Sequence, residues 1–566
     1  MGLLKFLVIF IACIFPGVTW AYTPFLSSEG KSIRWKNDAR FNLAGYPNNN
    51  SGVSASNLFA AVVKGLQRWN AASQGAIGFD YWQGTDLNVF ERAVEYDGLS
   101  SLHFESNGTD GSRLGPAIIG MTQVWYKPES GEILEADIVF NDLDFEFSLD
   151  PVDTTGPSYF VNRGVPGRPR VFLENVLTHE LGHAVGLSHS GVMQATMLPI
   201  EASDQASLDC DDQAASRTIY GVGKGAKLRG RIVGPSGAAV FGAHVSAISL
   251  SRGSVFAGAI TNPDGSFQID GLEGGAYAIS AEPYLSDAAS LSTFFQSMNT
   301  SICGGRKFAR TFLTESAASD LVVLSLAGGQ VADVGSVSVS CSPTAPADTA
   351  ELTFRAGQSA LVDQLSMGSS REYVFRHAGG RVEFSVIAFG LFSPMNTRLS
   401  LFTEARSPVS VTSLDDRFST PSGYRNYDAS LSTAALPAGR YRLRLDASFL
   451  TSASMPAGHL GAESTHFFVI SGRQGGPPSE SSRCLMSDAF PEYRSPGGNP
   501  PRADVDTNGG LGFCGRIEQV DTRFERKMGP PGARLGAIAG WFLPWAFMLV
   551  VVRVLRERAS RRTVRA

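Results

Sequence analysis

Between residues 22 and 222 the apolar positions change period several times. Short alternating runs at 33–35, 39–43, 101–105, 117–126 and 136–140 predict strands, because successive strand side chains face opposite sides. Leu58, Ala61, Val62, Leu66 and Trp69 instead recur at helical spacing, which predicts a helix over 56–72 with Ser54 or Ser56 as N-cap. Two further helices are predicted, one over 170–186 and one from Asp209 to Gly221. Three helices around a mixed sheet make this first unit α+β.

From Lys227 the pattern changes to short alternating runs at 228–233, 243–248, 266–269 and 276–281, with Asn262-Pro263-Asp264-Gly265 as a hairpin-type turn. A second strand series occupies 346–472, with runs at 352–354, 371–375, 382–388, 398–402 and 440–445. Each series is expected to form a β-sandwich, over 227–340 and 346–472. Residues 473–534 are rich in Gly, Pro, Ser and charge, which suits a stalk.

The two ends read differently. Lys5, the apolar stretch 6–15, the breaker Pro16-Gly17 and the small Ala21 form the layout of a secretory signal peptide over 1–21. Residues 535–552 are apolar and uncharged, and six arginines follow between Arg553 and Arg565 in the tail 553–566. That order predicts a C-terminal transmembrane helix with its arginines on the cytoplasmic side, placing the rest of the chain outside. The apolar run followed by arginines also resembles a cleavable sorting tail, so anchor and processed signal both stand. With the arginines confined to the tail, a net charge of −5 leaves the exported part acidic and gives nucleic-acid binding no support. In an oxidising compartment the spacing suits disulfides Cys303–Cys341 and Cys484–Cys514, which leaves Cys210 unpaired.

Chemistry concentrates in one eleven-residue window, HELGHAVGLSH, which holds three of the eight histidines. His179 and His183 stand four apart on the predicted helix, so both imidazoles project from one face toward one ion. Glu180 stands beside that face, where a carboxylate can take a proton from metal-bound water. Gly186 can adopt positive φ, end the helix and bring His189 back to the same metal. Three protein ligands with an open fourth position describe a catalytic zinc site, and without any Cys-x-x-Cys a thiolate site is disfavoured.

These residues match H-E-x-x-H-x-x-G-x-x-H, so the unit over 22–222 resembles the metzincin metallopeptidases. ATMLP is similar to their Met-turn, which puts Met197 beneath the metal. The spacing from His189 to Met197 and the closing LDCDDQAASRTIYG resemble the matrixin, or matrix-metalloproteinase-like, branch. AIIGMTQVWY and EADIVFND resemble the edge strand and following strand of that fold. The resemblance implies a zinc endopeptidase with one catalytic zinc on His179, His183 and His189, and Glu180 as general base. The expected protein or peptide substrate lies extended along the edge strand from Ala117 to Val124, with Ala117, Ile118, Ile119 and Gly120 as its contacts, and the segment from Leu198 and Pro199 to Ser203 walls its side-chain pocket. Matrixins commonly carry a second zinc and a prosegment cysteine; only His103 lies between residues 100 and 140, and no cysteine lies between Cys13 and Cys210. GAAVFGAHVSAI with TNPDGSFQIDGLEGGAYAISA resembles the carboxypeptidase regulatory-like β-sandwich, while the 346–472 series resembles C-terminal modules of secreted bacterial peptidases.

The expected fold is therefore multidomain: a metzincin-like α+β catalytic domain with a mixed sheet and three helices, two β-sandwich domains and a C-terminal transmembrane helix. The expected function is an exported, membrane-anchored zinc endopeptidase. A different class, a cell-surface adhesion or scaffold protein with an inactive protease-like domain, is the alternative. Asp137, Asn141, Asp142 and Asp144 supply oxygens of the kind calcium takes, or else form a solvated acidic turn.

Overall fold

A computed structural model describes residues 24–27, 29–43, 53–82, 94, 96–105, 114–115, 118–150, 169–199, 205–222, 225–284, 297–315, 319–342, 350–366, 368–393, 395–414, 418–419, 425–449, 466–475 and 512–519. The first unit runs β1 (Ala39–Leu43), α1 (Ala55–Ala72), β2 (Phe79–Trp82), β3 (Ser100–Glu105), β4 (Ile118–Lys127), β5 (Glu132–Asn141), β6 (Glu146–Ser148), β7 (Arg170–Phe172), α2 (Leu173–Val185) and α3 (Cys210–Ile219). Its main sheet has the order β2-β1-β3-β5-β4, and a C-terminal strand, Gly512–Gln519, follows beside β4. β1 to β3 and β5 pair in parallel, whereas β4 is antiparallel to β5, so the sheet is mixed.

Where the sequence pattern predicts helix from residue 170, Arg170–Phe172 is a strand paired in parallel with β6, and the helix begins at Leu173. The β-forming Val171 and Phe172 are buried there, so a partner strand outweighs the helical period at that end. α1 starts at Ser54, whose hydroxyl accepts the Asn57 N–H at 3.3 Å. It packs closely on α2: a Cβ on Gly65 would stand 2.7 Å from Leu181 Cδ1. A buried ion pair, Arg68 to Glu174 at 3.1 Å, and the bond from Trp69 Nε1 to the Thr178 carbonyl at 3.0 Å fix the register of the two helices.

Beyond residue 225 the chain is β-rich. A sheet built on Ala243–Ser249, Ser254–Ile260 and Gly275–Pro283 shares its apolar side with a sheet of Ser266–Leu272, Ala226–Val233 and Val331–Ser338. Two more sheets, centred on Gly439–Phe449 and His466–Gln474, enclose another apolar cluster that includes Tyr373, Phe375, Phe384 and Ile470. One cluster runs without a break from Phe25, Trp69 and Leu177 to Leu228, Ile279 and Val339. A smaller one joins Val192 and Ala195 to Ile248 and Leu250 and to Val362 and Val469.

Cys303 and Cys341 form the expected disulfide, which fits an oxidising, extracellular setting. Cys210 is also disulfide-bonded, which corrects the expectation that it is unpaired. With Cys303 and Cys341 joined to each other, its partner is Cys13, Cys484 or Cys514, and the expected Cys484–Cys514 pairing lies outside the described disulfides. Local spacing could not show this, because folding brings distant cysteines within reach of the start of α3. Among the described residues no helix is long and apolar enough to cross a membrane. The expected signal peptide at 1–21 and transmembrane helix at 535–552 both lie outside the described residues.

Candidate metal centre

α2 is buried along its whole length, and its end is finished by partners from distant segments. Carbonyls in the last turn of a helix have no partner within it and need donors from elsewhere. Here Gly182 O accepts Leu187 N–H at 3.0 Å and His183 O accepts Gly186 N–H at 2.9 Å. Ala184 O accepts Trp35 Nε1–H at 2.7 Å, Val185 O accepts the Tyr220 hydroxyl at 2.7 Å, and Gly186 O accepts Phe25 N–H at 2.8 Å. Gly186 itself sits at φ 111°, and a Cβ there would lie 2.3 Å from the Ile33 carbonyl oxygen. Both the left-handed conformation and the close approach demand glycine.

The turn at Gly186 returns the chain so that His179, His183 and His189 meet, each with no exposed surface. Their candidate ligand atoms all lie within 4.8 Å of one another, and no other such cluster occurs among the described residues. His179 Nδ1 bonds the Thr196 carbonyl at 2.6 Å, and His183 Nδ1 bonds the Leu187 carbonyl at 2.7 Å. A carbonyl only accepts, so both Nδ1 atoms carry the proton and both Nε2 atoms present lone pairs. Those two lone pairs face each other at 3.1 Å, an arrangement that a cation between them would stabilise. Burial holds all three imidazoles below their usual pKa, His183 at about 4, so they stay neutral as metal ligands must. Both nitrogens of His189 are buried without a hydrogen-bond partner, as expected of a side chain kept for a metal. The donor set therefore fits zinc.

Glu180 is equally buried, and burial pushes its carboxyl well above the ordinary range. Thr122 on β4 opposes that shift by donating its hydroxyl to Glu180 Oε2 at 2.6 Å, while Oε1 has no partner. Gly120, two residues earlier, leaves room for this carboxylate, since a Cβ there would approach Oε1 to 2.9 Å. Met197 lies under α2, with its Sδ placed where a Cβ on Gly182 would be 2.2 Å away. Its turn is tied by Asp212, which accepts the N–H groups of Thr196 and Met197 at 2.8 and 3.1 Å.

Residues 35–221 match the family model described as Matrixin. This stretch is a matrixin domain. Residues 227–288 match the Carboxypeptidase regulatory-like domain. No curated protein matches the chain. Three solved structures share scattered similarity. A variant of the major pilin subunit of Bacillus cereus is 9% identical, with 40% of this chain and 59% of that one covered and a TM-score of 0.11. A DUF3823 family protein from Bacteroides uniformis is 13% identical, covering 43% and 95%, with a TM-score of 0.13. The major pilin SpaD from Corynebacterium diphtheriae is 8% identical, covering 39% and 56%, with a TM-score of 0.12. The chain thus spans less than two thirds of the length of the two pilins.

The matrixin domain places some expected substrate residues beside Glu180 and others deeper. Ile118, Ile119 and Gly120 open β4, Ala117 lies outside the described residues, Leu198 is fully buried and Pro199 is partly exposed. β4 is not the free edge expected of it, because the C-terminal strand pairs along its outer side. Of the oxygens considered for calcium, Asp137 Oδ1 accepts both the N–H and the hydroxyl of Ser101, and Asn141 Oδ1 accepts the N–H groups of Leu143 and Asp144. Two contacts escaped sequence reasoning. Phe25 stacks on His183 with centroids 5.5 Å apart, and Tyr284 of the regulatory-like domain donates its hydroxyl to the His189 carbonyl at 3.0 Å. The only sequence signal for Thr122 was its place two residues after Gly120, on the same face of the strand.

Proposed function

We propose that this chain is an exported, membrane-anchored zinc endopeptidase that hydrolyses peptide bonds of extracytoplasmic proteins. The supporting observation is the convergence of three neutral imidazoles beside a carboxylate with one partnerless oxygen. His179, His183 and His189 would hold the metal, with Met197 as an apolar floor. When bound, zinc acidifies a water molecule and polarises a carbonyl.

Glu180 Oε1 receives the proton of the attacking water and later delivers it to the leaving amine. Its raised pKa suits both directions of transfer, and Thr122 keeps Oε2 fixed so that Oε1 faces the reaction. The substrate adds main-chain hydrogen bonds to β4 as an extended strand, with Leu198 and Pro199 near its side-chain pocket. The 535–552 segment anchors the chain, and the disulfide-bonded β-rich region lies outside the membrane with the peptidase.

Complete burial of the site favours one competing reading, an adhesion or scaffold protein with an inactive protease-like domain. The test is zinc content and cleavage of a denatured protein by wild type and Glu180→Gln. Equal zinc in both, with cleavage only by wild type, supports the peptidase. Activity in both variants, or in neither, removes Glu180 as the base.

A further inference from the structure

We infer that the C-terminal strand Gly512–Gln519 is a built-in occupant of the substrate edge, and that the peptidase is restrained until this strand leaves β4. The inference rests on the reading of the site as a peptidase. Its basis is backbone placement. The strand runs parallel to β4, with Gly512 opposite Ile118, Cys514 opposite Met121, Gly515 opposite Thr122 and Gln519 opposite Tyr126. The register slips once, between Gly512 and Cys514, where Ile119 and Gly120 on β4 face the single residue Phe513. That slip falls at the level of Glu180, which lies against Gly120 and accepts the hydroxyl of Thr122. Neighbouring strands lie about 4.8 Å apart, so this segment takes the lane beside the site that an added substrate strand would use.

The outer edge of β4 has one row of N–H and C=O groups, so two strands cannot share it. The burial of His179, Glu180, His183 and His189 agrees, since an enzyme awaiting a polypeptide needs an open approach. The strand belongs to the same chain as β4, so its pairing is intramolecular and competes with substrate at an effective concentration set by the chain. At an effective concentration about ten times its dissociation constant, such an occupant suppresses substrate access about tenfold.

The experiment uses the full chain loaded with zinc. A first variant lacks 512–519. Two others carry proline pairs that retain Cys514, Gly515→Pro with Ile517→Pro and Arg516→Pro with Glu518→Pro, so that one pair must remove the N–H groups facing β4. Hydrogen exchange of the β4 amides and cleavage of a denatured protein are both followed. The expected result is faster β4 exchange and about tenfold faster cleavage in the deletion and in one proline variant, both reversed by a synthetic peptide of residues 512–519. Unchanged β4 exchange in the deletion overturns the inference. Cleavage that needs Glu180 yet is unaffected by the deletion also overturns it and leaves the peptidase standing. If β4 opens and rebinds the peptide but no variant cleaves, the strand pairing stands and the peptidase reading falls.

Discussion

Replacing Tyr284 by Phe removes one hydroxyl from the regulatory-like domain and none from the matrixin domain, yet it should weaken zinc binding. That hydroxyl donates to the backbone carbonyl of His189 at 3.0 Å, and both residues are buried. Losing a buried hydrogen bond costs about 1 kcal/mol, and leaving its acceptor unpaired raises this to about 3 kcal/mol. If half of the larger figure fell on the placement of His189, zinc affinity would drop roughly tenfold. Competition with a fluorescent zinc chelator measures this directly. Tyr277→Phe is the matched control, because it loses the bond from the Tyr277 hydroxyl to the Glu273 carbonyl at 3.0 Å, also in the regulatory-like domain. Both variants should melt earlier, but only Tyr284→Phe should lose zinc. Affinities within twofold of wild type, or equal losses in both variants, would refute the idea that this domain braces the third ligand.

Gly186→Ala must place a Cβ against the Ile33 carbonyl at a positive φ, so a loss of about 3 kcal/mol or more is expected by chemical denaturation, with loss of bound zinc. Asp211 is raised to about 7, first by burial and then by the charge of Asp212, so its folded form favours the proton. Its stabilising contribution is therefore complete below about pH 4 and is lost as pH rises through about 7. Asp211→Asn should flatten the fall in Tm between pH 5 and pH 8, and Asp212, raised to about 6, keeps some of the slope. Stripping zinc with a chelator should lower Tm, since free metal at a thousand times its dissociation constant stabilises by about 4 kcal/mol. A Tm indifferent to chelation would mean the three imidazoles bind nothing.

The cluster of His179, His183 and His189 was legible in the sequence because its geometry is local. Two histidines one helical turn apart and a glycine that ends the helix define most of it within eleven residues. β4 and β5 were legible for a similar reason, as alternating runs that pair with each other. What escaped was set by long-range folding. Tyr284 reaches His189 across 95 residues, and Trp35 and Tyr220 cap α2 from opposite sides of it in sequence. The stretch holding Gly512–Gln519 reads as a stalk from its Gly and Pro content, and only a neighbouring strand makes it β. The pairing of Cys210 was illegible because spacing along the chain says nothing about proximity in the fold.

The unbroken apolar cluster that joins Phe25 and Leu177 to Leu228 and Val339 has a practical consequence. The border near residue 222 is a convenience of naming and gives no place to cut. A chain ending there would lay bare the side of α3 where Ala214 meets Gly271, and would strip Tyr284 from the loop carrying His189. The matrixin domain and the first β-rich unit should melt in one transition, and grafting the former onto a foreign partner should yield an insoluble product.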